Sequence, residues 1–195
     1  MNRLINIYKK LYSFYGPQHW WPGDTPFEVS VGAILTQNTN WGNVEKAIKN
    51  LKDAKALSAK AIHSMQISEL AAHIKPAGYF NVKAKRLKAF IDFIYCNYRG
   101  KIAAMKKRPL NELRLELLNV HGIGHETADS ILLYALDKPV FVIDAYTRRV
   151  LSRHKILDYN ASYDEYQSLF HKNFDEDVHL FNEYHALFVR VGKEY

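Results

Sequence analysis

"LLNVHGIGHETADSILLYALDKPVFVIDAYTRRVLSRH", residues 117–154, joins a tight Gly122-Ile123-Gly124 turn to a lone aspartate, Asp144, through a helix-like segment. Glycine tolerates positive φ and lets another molecule approach the backbone closely. The helix after the turn starts with unpaired N–H groups and a partial positive charge, so turn and helix together suit an anion such as a phosphate. A plain helix–helix connection uses the same glycines with no ligand. Spacing alone leaves the two readings open. In both, Ile123 plugs the turn into the core. Asp144 follows Val140, Phe141, Val142 and Ile143 and precedes "AYTRRVLSRH", which is the place of a helix cap.

Outward from this stretch, the punctuation is helical. "TPFE" at 25–28 reads as a capping box with Pro26 at the first helical position, and "SYDE" at 162–165 as a second. Phe27, Val31, Ile34 and Leu35 recur at helical spacing, as do Val44, Ala47, Ile48 and Leu51, and Val82, Leu87, Phe90, Ile91 and Ile94. A last helix is expected from about 178 to 192. "PVFVI" reads as an extended connector or buried turn. With no strand alternation, the expected class is all-α.

The 195 residues are 48% hydrophobic and 24% charged, enough for one compact unit or two small lobes. The net charge of +7 favours an anionic partner, nucleic acid above all. The apolar runs fall short of the roughly 18 residues a membrane helix needs. "MNRLINIYKKLYSFYG" reads as an amphipathic helix without a signal-peptide core, so a cytoplasmic protein is expected, nucleoid-associated in a prokaryote. One cysteine, Cys96, excludes an intrachain disulfide and a four-cysteine metal site within the chain. The nine histidines lack metal-site spacing, so no side-chain metal site is expected.

The stretch resembles the helix-hairpin-helix motif and trailing catalytic aspartate of the endonuclease III superfamily of DNA glycosylases. His121 stands where that family has a proline. "FEVSVGAILTQNTNWGNVEKAI", "IKPAGYFNVKAKRL" and "FNEYHALFVRVGKEY" are similar, in the same order, to the family's early helix and glutamine loop, its glycine turn and lysine helix, and its last helix. The resemblance covers roughly residues 25 to 195.

It implies a two-lobed helical fold with a DNA-binding cleft between the lobes. One lobe would be the central domain, 26–136, with the hairpin; the other would join 1–25 to 137–195. It implies Asp144 as the catalytic carboxylate. At the place of the strand-cutting lysine stands Glu126, which cannot form a Schiff base, so a monofunctional enzyme without strong lyase activity is expected. Glu126 together with "WWPGDTPFE" most resembles the 3-methyladenine branch, with Trp20, Trp21, Pro22 and Lys193 as base-pocket candidates. Gln37 matches the intercalating glutamine, and Tyr79 or Phe80 stands where a second wedge belongs. Thr39, Lys83, Lys85, Gly122, Ile123, Gly124, His125, Thr127, Arg148 and Arg149 are the other expected DNA contacts. Damaged double-stranded DNA is the expected partner of a monomer.

In cofactors, the family implies a monovalent cation held by hairpin carbonyls. Its [4Fe–4S] cluster would belong here only if the natural chain continues past Tyr195. The alternatives are a glycosylase for oxidised or mismatched pyrimidines, and a non-catalytic hairpin protein that only binds DNA.

Overall fold

In a computed structural model, which describes residues 3–21 and 23–195, the chain is helical throughout, with no strand among the described residues. The helices are α1 (Arg3–Tyr15), α2 (Pro26–Leu35), α3 (Trp41–Asp53), α4 (Ala59–Ser64), α5 (Ile67–His73), α6 (Phe80–Tyr98), α7 (Ile102–Met105), α8 (Leu110–Leu118), α9 (His125–Ser130), α10 (Ala145–Arg153), α11 (Tyr163–His171) and α12 (Val178–Glu194). The chain separates into two compact units, Gly23–Ile131 and Met1–Pro22 with Leu132–Tyr195. The second division falls inside a helix, where α9 passes into a π turn, Ile131–Ala135.

The continuous unit is built on α2 and α6. Both bury largely apolar faces, with Val31, Ile34, Leu35, Leu87, Phe90, Ile91 and Ile94 almost inaccessible. Thr25 caps α2, its hydroxyl accepting from the Glu28 N–H. The expected return bond from Glu28 is replaced: its carboxylate pairs with Lys52 at 2.8 Å. Ser162 and Glu165 do form the complete box at α11. α8 and α9 are clamped by Arg114, which donates to both carboxylate oxygens of the fully buried Asp129 at 2.7 and 3.1 Å.

Lys83 is a correction to the sequence reading. It is 1% exposed, and its ammonium donates to the carbonyls of Leu35 (2.9 Å) and Ala77 (2.7 Å), so it faces no phosphate. Leu35 ends α2, and its carbonyl lies at the negative end of the helix dipole, where a cation is favoured. Burial pushes the amine down from 10.5 to about 8, and the Arg86 charge adds to the effect. Because the folded state binds this proton less tightly than the unfolded chain, the destabilisation is fully present below pH 8. It is relieved as the pH rises from 8 toward 10.5. The urea midpoint of the wild type should therefore rise over that interval relative to Lys83→Met. Parallel midpoints would show that the amine titrates normally.

The other unit has an aromatic core. Phe141 stacks on Phe170 at 3.5 Å, and Phe181, Tyr184 and Phe188 from α12 pack around them. The Tyr184 hydroxyl donates to the carbonyl of Leu4 at 2.8 Å, fastening α1 to α12. "PVFVI" is extended connector, as its composition predicts: Phe141 O accepts from Gln167, and Phe141 N donates to His171.

Candidate active site

Asp144 caps α10, with Oδ1 accepting from Thr147 N at 2.7 Å. Its side chain is 13% exposed, so it stays reachable. On its other oxygen, Oδ2 lies 3.5 Å from Nε2 of His185, which is 4% exposed. The far nitrogen of that ring, Nδ1, is 2.5 Å from the Tyr134 hydroxyl. Burial works against ionisation of Asp144. The positive charge His185 carries when protonated, with hydrogen bonds from His185 and Thr147, outweighs it and holds the carboxyl below its ordinary value of 3.8. Tyr134 is pushed far up, first by burial and then by the Asp144 charge, so it stays a protonated donor.

The aromatic residues gather beside this group. Trp20 and Trp21 meet edge to face at 5.4 Å, and Trp21 lies 4.9 Å from the Tyr134 ring. Both tryptophans are half-buried. Lys193 Nζ lies over the Trp20 ring at 5.6 Å. The fourth pocket candidate, Pro22, is outside the described residues. A cavity of about 480 Å³ is lined by Trp20 with Tyr8, Tyr12 and Glu183, but Asp144, Trp21 and Lys193 do not line it.

In the other unit, the hairpin's two glycines have different reasons to be glycine. Gly122 has φ +83°, and a Cβ there would sit 2.2 Å from Arg86 Cγ. Gly124 has φ −94° and open space where a Cβ would go. The fold requires glycine at the first position and leaves room for a side chain at the second. His125 and Glu126 follow, both exposed, with His125 Nδ1 3.1 Å from Arg114. Ile123 is buried, so it can offer a ligand only backbone.

Gln37 is engaged with the hairpin in this structure. Its Nε2 donates to Gly122 O and Thr127 Oγ1, each at 3.0 Å, and its Oε1 accepts from Arg86. It braces the hairpin, and entering a base stack would break all three bonds. Thr127, 7% exposed, has its hydroxyl oxygen accepting from Gln37. In the same turn, Asn38 is exposed with φ +53°. Thr39 accepts from Asn43 Nδ2 at 3.2 Å while remaining half-buried. Tyr79 is 72% exposed and, with φ +46°, opens α6.

Arg148 is partly engaged inside the protein. Its guanidinium donates to Ala161 O at 2.6 Å and lies 4.7 Å over Tyr166, staying within its own unit. Arg149 donates to Gly192 O. Among the basic candidates, Lys85 is exposed. Basic residues on a helix look alike in sequence, and only the carbonyls brought against them decide which are consumed internally. His185 and Tyr134 were missed. The one available signal is a histidine inside the buried run Phe181–Val189 of α12.

These features agree with similarity to known proteins. The description "HhH-GPD superfamily base excision DNA repair protein" matches residues 31–176. The chain belongs to this superfamily. It is 49% identical over 194 residues (98% of this chain, 88% of the relative) to MJ1434 of Methanocaldococcus jannaschii, named as a candidate DNA repair glycosylase. It is 27% identical over 128 residues to endonuclease III of Thermotoga maritima, covering 66% of this chain and 56% of that one. The crystal structure of H. pylori 3-methyladenine DNA glycosylase (MagIII) bound to 1,N6-ethenoadenine superimposes with a TM-score of 0.87 at 31% identity, covering 98% and 97% of the two chains. An endonuclease III–DNA covalent intermediate shares the fold, with a TM-score of 0.84 at 20% identity over 100% and 88%. The protein is thus an HhH-GPD base excision repair DNA glycosylase with an all-helical fold.

An iron–sulfur cluster needs four thiolates, and this chain holds only Cys96, exposed on α6, so the donor set does not fit. Among the described residues, no helix is long and apolar enough to cross a membrane.

Proposed function

We propose that the protein is a monofunctional DNA N-glycosylase that removes alkylated purines of the 3-methyladenine type from damaged double-stranded DNA, with Asp144 as its catalytic carboxylate. The observation that carries this reading is Asp144 itself, held ionised and still reachable at the start of α10. As the bond from C1′ to the base nitrogen breaks, its electron pair leaves with the base. Positive charge builds on the sugar, and the fixed anion stabilises it. Water then adds to C1′ and gives a proton to Asp144. An alkylated purine that starts as a cation leaves neutral, so the reaction runs without a second carboxylic acid.

Three further observations support the finer choices. Glu126 stands where a lyase would carry its lysine, which leaves water as the nucleophile. Lys193 lies over the Trp20 ring, the cation–π arrangement an alkylated purine would also use. MagIII, bound to a modified adenine, is 31% identical over nearly the whole chain. At the DNA backbone, Gly124 and the exposed start of α9 are the phosphate site, and Tyr79 is the wedge that fills the gap left by an extruded base.

The test is a panel of single-lesion duplexes with identification of the liberated base. Free 3-methyladenine is expected, together with no covalent adduct when borohydride is added to abasic DNA. Release confined to oxidised or mismatched pyrimidines would overturn the substrate class, and efficient borohydride trapping would overturn the monofunctional assignment.

A further inference from the structure

Asp144 faces a buried hydrogen-bonded pair whose polarity follows from its members. The carboxylate can only accept, so the His185 nitrogen that faces it, Nε2, carries the proton. Nε2 is buried without a closed hydrogen bond, and Oδ2 of Asp144, 3.5 Å away, is the acceptor it faces. Nδ1 lies 2.5 Å from the Tyr134 hydroxyl, a hydrogen bond that orients the ring whichever of the two donates. The contacts run in series: the Tyr134 hydroxyl against Nδ1, and Nε2–H toward Oδ2 of Asp144. The opposite oxygen is held by Thr147 N at 2.7 Å. A helix cap needs only the Thr147 bond. A histidine with no other use for Nε2, lodged in the apolar core of α12, does something the cap does not require.

We infer that His185, oriented by Tyr134, is a positioning residue that holds the Asp144 carboxylate in the rotamer that meets the reacting sugar and its water. This rests on the reading of Asp144 as the catalytic carboxylate. With one oxygen held by the backbone and the other facing the ring at 3.5 Å, the carboxylate presents its remaining lone pairs through the 13% of its side chain that is exposed. Without the ring, the side chain can turn about its end. A misplacement on the order of 1 Å costs about 100-fold in rate.

The experiment measures single-turnover base release and DNA affinity on 3-methyladenine duplex for His185→Leu, His185→Gln, Tyr134→Phe and Asp144→Asn. His185→Leu should lose about 10- to 100-fold in rate with an unchanged Kd. His185→Gln, whose amide N–H reaches the place of Nε2, should recover most of that loss. Tyr134→Phe, which keeps the ring packed on Trp21, should fall between and keep the wild-type melting temperature. Wild-type rates for Tyr134→Phe and His185→Leu would overturn the inference, as would a loss that His185→Gln fails to recover. Should His185→Leu not fold, the Tyr134→Phe and His185→Gln rates decide. If Asp144→Asn releases base normally, the catalytic reading itself fails; if it is inactive while the other variants match wild type, only the positioning role fails.

Discussion

Asp144→Asn should reduce base release by about 10²–10⁴-fold while leaving the protein folded and bound to DNA. Asparagine is as good a helix cap as aspartate, so its side-chain oxygen can keep the bond from Thr147 N that starts α10. What disappears is the charge that meets the developing cation on the sugar. Removing a negative group beside a polyanion does not weaken association, so the Kd for lesion duplex should hold or tighten. Single-turnover release and Kd on the same preparation separate these effects. A variant that keeps near-wild-type turnover would eliminate Asp144 as the working carboxylate.

The pH dependence has a definite sign. The folded-state value of Asp144 lies below 3.8, so the active, ionised form persists through mildly acidic solution. The stability this ionisation contributes is lost only as the pH falls through the lowered value. No acid limb from this group should appear at pH 5. A limb there that vanishes in Asp144→Asn would show that burial, not His185 and Thr147, sets its ionisation.

The second large effect separates the two hairpin glycines. Gly122→Ala must place a Cβ at φ +83° and 2.2 Å from Arg86 Cγ, at a cost of roughly 2–4 kcal/mol. It also disturbs the bond from Gln37 to the Gly122 carbonyl, so urea midpoint and DNA affinity should fall together. Gly124→Ala meets no protein atom within 4 Å at an ordinary φ, so its stability should stay within about 0.5 kcal/mol of wild type. If a phosphate approaches there, the added methyl group forfeits a hydrogen bond to a charged group, weakening binding about 10- to 100-fold. Denaturation and DNA titration of both variants check the contrast. Wild-type affinity in Gly124→Ala would move the phosphate site elsewhere.

What the sequence determined by itself was local in character. Apolar spacing predicted α2, α3, α6 and α12, cap chemistry placed the starts of α2 and α11, and Asp144 was legible as the cap of α10, because these signals act within a few residues of chain. The motif order was enough to identify the superfamily. The fate of individual polar side chains was not legible, because it depends on which helix end or carbonyl another part of the chain brings against them. Lys83 and Lys85 stand two residues apart on α6; tertiary packing buried the first beneath the end of α2 and left the second in solvent. The same packing turned Gln37 into a brace, spent Arg148 on the carbonyl of Ala161, and set His185 against Asp144 from 41 residues further along the chain.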